Sequence, residues 1–340
     1  MDSVEQSFRV LSIQSHMVSG YCGNKAATFP LQTLGFDVDT LNTVQFSNHT
    51  GYPSWTGTRL TAKDVQDLFD GLERNGLTDN YTHVLTGYIG NFAILEKIEI
   101  MVQKLKSKNP RLVFVCDPVM GDAGQLYVAP EIVPLYRQIM KVADVITPNQ
   151  FEAETLSGIQ IDSLARAREV ASALHVLGAP NVIITSTVLP PADIPSEIHL
   201  TDTASDSLYC LTSHIQKNGK TEQHLISFPT YQGYFTGTGD MFSALVVARL
   251  QEAVDNQSSS PLADAALKVV STVNAVTKKT WLYQRQWVPI ESHGEADLIE
   301  SKPNAAELVR QCELLVVKGK KEIENPALVG EGIVKIVKLQ

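Results

Sequence analysis

Several features that would assign a function at once are missing from this 340-residue sequence. Its four cysteines, Cys22, Cys116, Cys210 and Cys312, lie far apart without any C-x-x-C spacing, so we expect reduced thiols rather than a disulfide framework. Its eight histidines form no H-E-x-x-H spacing, which gives a structural zinc site little support. No apolar run approaches the roughly 18 residues that a membrane span needs, so we expect no membrane partner.

Basic residues are also in short supply. Lys and Arg together number 28 against 37 Asp and Glu, and the net charge of −9 argues against a nucleic-acid binder, which needs a basic face. The same charge is compatible with ATP, which needs only a local pocket of cations or N–H groups. The N-terminal segment is polar and acidic, with no apolar stretch behind a basic start, so we expect no secretory leader and a cytoplasmic location.

A glycine-rich stretch, Phe235-Thr-Gly-Thr-Gly-Asp240, precedes an apolar run, Met241–Ala248, which predicts a helix buried on all sides. A glycine turn at a helix N-terminus favours anions, because its N–H groups are unpaired and the helix dipole is positive there. Asp240 would repel a resting phosphate, but it suits a base that accepts a proton from an attacking hydroxyl while the N–H groups hold the transferred phosphoryl group. The alternative is that Asp240 is an ordinary helix N-cap.

Buried strands alternate with helices along the chain, which predicts a three-layer α/β/α sandwich around a mostly parallel central sheet. Strands are predicted at Arg9–Ser15, Val38–Phe46, His83–Tyr88, Leu112–Cys116, Ala143–Pro148 and Asn181–Thr187. An antiparallel pair is predicted from Leu208 to Ile215 and from Gln223 to Phe228, around an Asn218-Gly219 turn. Helices are predicted from Asn24, as N-cap, to Leu34, from the Thr61–Asp64 capping box to Asn75, and at Phe92–Lys106, Ala165–Leu177 and Leu262–Leu282.

We predict a single domain over residues 1–340, with its core at about 9–283. Residues 284–303 are predicted to be linker-like, and residues 304–340 to hold a helix and a tail. Val188–Asp206, rich in Pro and Asp, is predicted to be a surface loop.

Polar residues gather where the predicted strands end. These positions are Ser15, Asn48–Thr50, Tyr88, Asp117, Thr147 and Thr185. Each alone is better explained as an ordinary turn residue. Together they lie at the carboxyl edge of the sheet, where open α/β sheets bind ligands, and so they predict one site shared with the glycine turn.

The chemistry of that site is not set by a nucleotide fingerprint. No G-x-x-x-x-G-K-[ST] occurs, and the third glycine of a dinucleotide motif falls on Phe242. Asp117 and Asp122 suit a hard cation such as Mg²⁺, although a turn and a solvated loop explain them equally. Asn149 and Glu152 are likewise explained by a helix capping pair. A base, an anion-binding helix end and a magnesium site together indicate phosphoryl transfer to a hydroxyl.

Six motifs occur in an order and at spacings typical of one family. They are Arg9–His16, Val44–Tyr52, Val84–Tyr88, Val115–Asp122, Ile146–Glu154 and Gly237–Asp240. In these motifs the chain resembles pyridoxal kinases of the ribokinase superfamily. The first two are specific to pyridoxal kinases, and the last is shared by the superfamily. The resemblance covers about Arg9 to Thr280, with a weaker likeness at Lys320–Pro326.

The resemblance implies ATP-dependent phosphorylation of the 5′-hydroxymethyl group of pyridoxal, pyridoxine and pyridoxamine. Asp240 would be the base, with an anion hole formed by Gly237, Thr238 and Gly239. Substrate-binding residues would be Ser15 and Thr50, as hydrogen-bonding groups, and Val44, Phe46 and Tyr88, as walls of the ring site.

The resemblance also implies the nucleotide and cation contacts. Mg²⁺, or another divalent cation, would be held by Asp122 with Glu152. A monovalent cation, with K⁺ expected, would lie among Asp117, Thr147 and Thr185. Nucleotide contacts would come from Asp117, Asn149, Thr185, Ser186, Tyr231, Gly233 and Thr238, with adenine near Tyr231–Gly233. A homodimer with a mobile lid is implied as well.

Two departures from the family pattern stand out. Only four residues separate Asp122 from Tyr127, so the lid is shorter than in the vertebrate enzymes. Cys22 replaces a residue that is often valine in relatives. A thiol there would be either a trap for the aldehyde of pyridoxal or, as we interpret it, a buried inert cysteine.

Two other functions are weighed against pyridoxal kinase. One is another kinase of the superfamily, acting on a hydroxymethylpyrimidine or a sugar. The Ser15-His16 and Asn48–Thr50 turns favour a pyridine ring over a sugar, which needs more carboxylates and amides around its hydroxyls. The other is a catalytically silent vitamer-binding protein, against which the intact Gly237, Gly239 and Asp240 argue.

Overall fold

Ten strands form one sheet in the computed structural model, which describes residues 7–200, 207–286, 306–328 and 333–340. The strands, including a separate pair β6–β7, are β1 Phe8–Met17, β2 Phe36–Phe46, β3 Gly57–Arg59, β4 His83–Thr86, β5 Val113–Cys116, β6 Gly121–Asp122, β7 Gln125–Leu126, β8 Val145–Ile146, β9 Asn181–Thr187, β10 Ser207–Ile215, β11 Thr221–Pro229 and β12 Lys335–Lys338. The order in the sheet is β12-β11-β10-β9-β8-β5-β4-β1-β2-β3.

The centre of the sheet is parallel and its two edges are antiparallel. All neighbours from β2 through β1, β4, β5 and β8 to β9 run in the same direction, whereas β3, β10, β11 and β12 pair antiparallel. The β10–β11 pairing confirms the predicted hairpin. Parallel strands need helical crossovers that cover both faces, which explains the continuous apolar runs in the sequence. The predicted three-layer fold with a mostly parallel sheet is confirmed.

Helices cover the sheet on both faces. They are α1 Asn24–Thr33, α2 Ala62–Arg74, α3 Phe92–Lys108, α4 Ile132–Ile139, α5 Gln150–Ser157, α6 Leu164–Leu177, α7 Thr238–Asp255, α8 Pro261–Arg285, α9 Ala306–Gln311 and α10 Lys320–Glu324. Alternate residues of one strand serve different cores: Leu11 packs with α2–α6, and Val10 packs with α1, α7 and α8. Among the described helices, none combines the length and apolar character needed to cross a membrane.

Helix α7 is the most deeply buried part of the second core. Every residue from Met241 to Arg249 is buried, because α7 lies between the sheet and the helices α1 and α8. The predicted all-round burial of this helix is confirmed. Its N-terminus is thereby held at a fixed place at the carboxyl edge of the sheet.

Local capping signals were only partly correct. Thr61 and Asp64 form the predicted capping box at the start of α2. The prediction that Asn24 caps α1 is wrong, because Gly23 is the N-cap and makes no side-chain cap. Asn24 instead turns into the core, where its side chain accepts a hydrogen bond from Ser12 at 2.7 Å.

The C-terminal part of the chain returns to the sheet. Residues 287–303 of the predicted linker, and Thr201–Asp206 of the predicted loop, lie outside the described residues. The predicted C-terminal helix corresponds to α9. The short end segment contains β12, which extends the sheet beside β11, a pairing that the sequence did not indicate.

Candidate active site

A cavity of about 720 Å³ opens at the carboxyl edge of the parallel strands. It brings together all but one of the residues to which the family resemblance gives a role, whereas Asn48, proposed only as a strand-end residue, does not line it. The residues brought together are Ser15, Val44, Phe46, Thr50, Tyr88, Asp117, Asp122, Thr147, Asn149, Glu152, Thr185, Ser186, Tyr231, Gly237, Thr238, Gly239 and Asp240. Gly233 does not line the cavity.

The glycine turn places the N-terminus of α7 on the wall of this cavity. Gly237 is the N-cap, with φ of +89°, and no side chain caps the helix. A Cβ at Gly237 would lie 2.1 Å from the carbonyl oxygen of Tyr21, so only glycine fits. Asp240 is therefore the third residue of the helix rather than its N-cap, and the N-cap alternative is wrong. The uncapped first turn suits an anion.

The Asp240 carboxylate is held from a different part of the chain. Its Oδ2 accepts the N–H of Gly23 at 2.7 Å. Burial raises the pKa of Asp240, and this effect is opposed by the Gly23 N–H and by the Cys22 thiol beside it. A half-buried carboxylate that is oriented by one donor and made more basic is suited to accept a proton.

One end of the cavity is apolar. Met17, Val44 and Phe46 form a small buried cluster against which Cys22 packs. Burial and the neighbouring Asp240 keep the pKa of the Cys22 thiol well above its usual range, which favours the inert thiol over a nucleophile. The guanidinium of Arg59, a residue that the sequence did not single out, lies 4.8 Å from the centre of the Phe46 ring.

Buried carboxylates crowd the middle of the cavity. Glu152 accepts three backbone N–H groups, from Met120 at 2.9 Å, Gly121 at 3.4 Å and Asn149 at 2.9 Å. Burial nevertheless raises the pKa of Glu152 to about 7. The pKa of Asp117 is also raised, first by burial and then by the charges of Glu152 and Asp240. A bound cation would relieve this repulsion.

The donor chemistry fits a hydrated divalent cation rather than a closed metal cage. Within the described ranges, no group of three or more His, Cys, Asp and Glu side chains is gathered closely enough to hold a metal ion. Asp122 is exposed, and both oxygens of Glu152 already accept N–H groups. Mg²⁺ typically binds through one or two carboxylates, with water and substrate phosphates as its other ligands. Asp122, with Glu152 behind it, matches that pattern.

Ser243 is a contributor that the sequence reasoning missed. Its hydroxyl donates to Oδ2 of Asp117 at 2.8 Å and lies 2.9 Å from the hydroxyl of Thr147. Ser243 therefore joins two residues proposed for the monovalent cation. It lies three residues after Asp240, on the same face of α7, and a hydroxyl within an otherwise apolar run was the available signal.

The opposite end of the cavity is formed by β11 and α8. Phe228, Val270, Asn274 and Thr277 line it, and Asn274 donates to the carbonyl of Pro229 at 2.8 Å. Helix α8 was predicted only as a helix, although Asn274 and Thr277, three residues apart, share one face. Tyr231 reaches this end as proposed, and its hydroxyl donates to Asn274 at 3.2 Å.

The short segment proposed as a lid is a tight hairpin. Strands β6 and β7 pair across a turn in which Ala123 and Gly124 have φ of +47° and +77°. The hairpin closes where the N–H of Tyr127 donates to the carbonyl of Met120 at 2.7 Å. Tyr127, which is 48% exposed, lines the cavity together with Asp122 of β6, so the hairpin presents both side chains to the site.

Known proteins are similar in sequence to most of this chain. The phosphomethylpyrimidine kinase family model matches residues 77–270. The pyridoxal kinase of Arabidopsis thaliana is 46% identical over 298 residues, covering 86% of this chain and 90% of its own length. The pyridoxal kinase of Ovis aries is 42% identical over 340 residues, covering 97% and 100%.

A solved structure gives the same result. The pyridoxal kinase of Leishmania donovani, in complex with ADP and pyridoxamine, matches with a TM-score of 0.79 and 35% identity. The match covers 98% of this chain and 99% of that one. Sequence identities of 35–46% over most of the chain are far higher than a shared fold alone would give. The chain belongs to the pyridoxal kinase family.

Proposed function

We propose that this protein transfers the γ-phosphate of ATP to the 5′-hydroxymethyl group of pyridoxal, pyridoxine and pyridoxamine, giving the 5′-phosphates and ADP. The observation that carries the proposal is Asp240, oriented by the Gly23 N–H at the uncapped start of α7. Relatives named pyridoxal kinase at 42–46% identity support the substrate class. The Leishmania structure that holds ADP and pyridoxamine supports the pair of ligands.

In this proposal the cavity divides into a vitamer end and a nucleotide end. The pyridine ring lies between Val44, Phe46 and Tyr88, with Ser15 and Thr50 bonding its substituents. The nucleotide phosphates contact Asn149, Thr185 and Ser186, and the adenine lies near Tyr231–Gly233, beside the face of α8 that lines the cavity. Lining the cavity from one end to the other, these residues support a shared site for both substrates.

The reaction needs one proton acceptor and one anion site, and α7 supplies both. The Asp240 carboxylate takes the proton of the 5′-hydroxyl group while the oxygen of that hydroxyl attacks the γ-phosphorus. ADP leaves on the opposite side of the phosphorus. The N–H groups of Gly237, Thr238 and Gly239 stabilise the charge on the transferred phosphoryl group. We assign the lid that keeps water from the reaction to the β6–β7 hairpin, which places Tyr127 on the cavity wall.

Cations would complete the nucleotide end. We assign Mg²⁺, or another divalent cation, to Asp122 with Glu152, and K⁺ to the group of Asp117, Thr147 and Thr185. When bound, they neutralise phosphate charge and the repulsion among the buried carboxylates. The proposed homodimer and cytoplasmic location stay predictions from the sequence and its family resemblance.

A hydroxymethylpyrimidine kinase is the second candidate function, because the family model that matches residues 77–270 bears the name phosphomethylpyrimidine kinase. Both substrates are aromatic nitrogen rings carrying a hydroxymethyl group, so the base and anion hole would serve either. The relatives that match over the whole chain favour the pyridine ring.

A coupled assay of ADP formation separates these possibilities. Pyridoxal, pyridoxine, hydroxymethylpyrimidine and ribose are compared side by side with Mg²⁺, with and without K⁺. We expect turnover with the B6 vitamers. Activity confined to the pyrimidine or to ribose would contradict the assigned ring contacts, and binding of pyridoxal without turnover would indicate a silent vitamer-binding protein.

A further inference from the structure

A carboxylate from the C-terminal part of the chain reaches the vitamer end of the cavity. Glu313 follows α9, and its side chain is only 15% exposed. Oε1 accepts the hydroxyl of Tyr52 at 3.0 Å and lies 3.2 Å from Nε2 of His49. Oε2 accepts the backbone N–H of Tyr21 at 3.0 Å. One side chain thus joins two loops that are not adjacent in sequence.

The first of these loops, residues 47–52, carries Thr50. The N–H of Gly51 donates to Nδ1 of His49 at 3.1 Å, so Nδ1 is unprotonated and the ring proton lies on Nε2, facing Glu313. The His49 and Tyr52 rings also pack together, with centroids 4.8 Å apart. The Nε2–H group of His49 and the hydroxyl of Tyr52 therefore both point to Oε1 of Glu313, and a neutral histidine is sufficient for this arrangement.

The second loop, residues 18–23, orients the base. Tyr21, bound by Glu313, lies two residues before Gly23, whose N–H donates to Asp240. Gly20 packs against the same carboxylate so closely that a Cβ there would lie 2.4 Å from Oε1 of Glu313. The carboxylate is therefore enclosed by both loops.

We propose that Glu313 is a positioning residue for the vitamer: it fixes the Thr50 loop against the Gly23 loop and so keeps the vitamer end of the site preformed. This inference rests on the proposed function, because it assumes that the vitamer lies beside Thr50. Glu313 does not line the cavity and acts only through the loops it binds. Charge-assisted bonds to a carboxylate are stronger than neutral ones, so Glu313 reinforces the neutral backbone bond from Ser19 to Ser47 that also joins the two loops.

Loss of the carboxylate should act on vitamer affinity rather than on the chemical step. If the two loops are arranged for binding only a tenth of the time, the apparent affinity for the vitamer falls tenfold. The bound complex still holds the loops in place, so the chemistry proceeds from the same arrangement. The nucleotide end is formed by β11 and α8, which Glu313 does not bind.

The experiment measures steady-state kinetics of the full chain with Glu313 replaced. Glu313→Ala should raise KM for pyridoxal about tenfold while kcat changes by less than about threefold and KM for ATP stays within about twofold. Glu313→Gln keeps one carbonyl oxygen for His49 and Tyr52 but turns its NH2 group toward the N–H of Tyr21, so it should recover only part of the lost affinity. The matched control is Glu307→Ala, an exposed glutamate of α9, which should leave both KM values unchanged.

A second variant tests the same inference should Glu313→Ala fail to fold. Tyr52→Phe removes one donor and should raise KM for pyridoxal about threefold with KM for ATP unchanged. If the wild-type protein phosphorylates vitamers but Glu313→Ala or Tyr52→Phe leaves the KM for pyridoxal unchanged, this inference is overturned and the proposed function stands. An equal rise in KM for pyridoxal and in KM for ATP, of the same size in Glu313→Ala and Glu313→Gln, would also overturn this inference. A wild-type protein without vitamer turnover would overturn the proposed function and this inference together.

Discussion

At the scale of single residues, the acidic side chains of the cavity differ in what holds them. Asp240 is held by a backbone N–H from a distant loop, Asp117 by the hydroxyl of Ser243, and Glu152 by three backbone N–H groups. Glu152 is the most enclosed of the three, and Asp240 is the one placed beside the anion site at the start of α7. This difference agrees with the proposed roles, in which Asp240 accepts a proton while Asp117 and Glu152 balance the charge of bound cations.

Replacing the proposed base should remove chemistry and spare binding. Asp240→Ala is expected to lower kcat about 10²- to 10⁴-fold, as for loss of a general base, while pyridoxal still binds. Steady-state kinetics and calorimetric titration with pyridoxal would measure the two effects. Asp255→Ala, at the exposed end of the same helix, is the control and should retain full kcat. An unchanged kcat in Asp240→Ala would contradict the role of Asp240.

Replacing a ring contact should have the opposite signature. Thr50→Ala is expected to raise KM for pyridoxal about fivefold, which corresponds to one lost hydrogen bond of about 1 kcal/mol, with kcat nearly unchanged. Thr58→Ala, an exposed threonine of β3, serves as the control for a lost hydroxyl nearby. A fall in kcat at constant KM would place Thr50 away from the ring.

Among the secondary-structure elements, those fixed by local patterns were predictable. The capping boxes at Thr61 and at Asn149 depend on residues three positions apart, and both form as the sequence indicates. The parallel strands followed from continuous apolar runs, and their ends supplied most of the proposed site residues. The pairing of β12 with β11 was not predictable, because nothing in a four-residue strand specifies a partner about a hundred residues away.

The turn before α7 offers a test in which backbone conformation and close packing are separated. Gly237 and Gly219 have φ of +89° and +79°, but only Gly237 faces a neighbouring atom, the carbonyl of Tyr21. Alanine at either position costs about 1–2 kcal/mol of folding free energy from backbone strain. Gly237→Ala should cost more and should also lower kcat, because it displaces the loop that holds Asp240.

Thermal unfolding and kinetics of the two alanine variants measure this difference. Gly219→Ala is the matched control and should lower Tm by a few degrees with kcat unchanged. If both variants show the same fall in Tm and keep full kcat, the Tyr21 loop moves aside without disturbing Asp240, which would contradict this prediction.

Across the whole molecule, the fold joins residues that are far apart in sequence, and two side-chain contacts of this kind were missed by the sequence reasoning. Ser243 meets Asp117 across 126 residues, and Glu313 meets Tyr21 across 292. Neither contact has a periodicity or a motif. The site could be predicted where strand ends converge, whereas the groups that hold it in place could not.

An ion pair joins β12, at one edge of the sheet, to β11, and its contribution to folding stability depends on pH. Glu222 of β11 accepts hydrogen bonds from Lys338 of β12 and from Ser260, and these partners lower its pKa, Lys338 most strongly. A lowered folded-state pKa stabilises the protein above the ordinary value of 4.5, and the stabilisation is lost as pH falls through the folded-state pKa.

Removing that charge should therefore matter only above acid pH. Glu222→Gln is expected to lower Tm at pH 7 by roughly 2 °C, which corresponds to about 1 kcal/mol, and the difference from wild type should shrink as pH falls below the ordinary value of 4.5. Glu197→Gln, an exposed glutamate, is the control. A difference in Tm that persists unchanged into acid would assign the effect to packing rather than charge.

The bond between Glu313 and the Tyr21 loop also sets an order of events during synthesis. At about 5–20 residues per second, the 292 residues that separate the two partners take roughly 15–60 s to emerge from a ribosome. The loops that carry Thr50 and Gly23 are thus made early, are linked by the N–H of Ser19 to the carbonyl of Ser47, and receive the Glu313 bonds last. A chain that stops after α8 would contain every residue assigned to the chemistry, yet it would lack the carboxylate that adds the last bonds between these two loops.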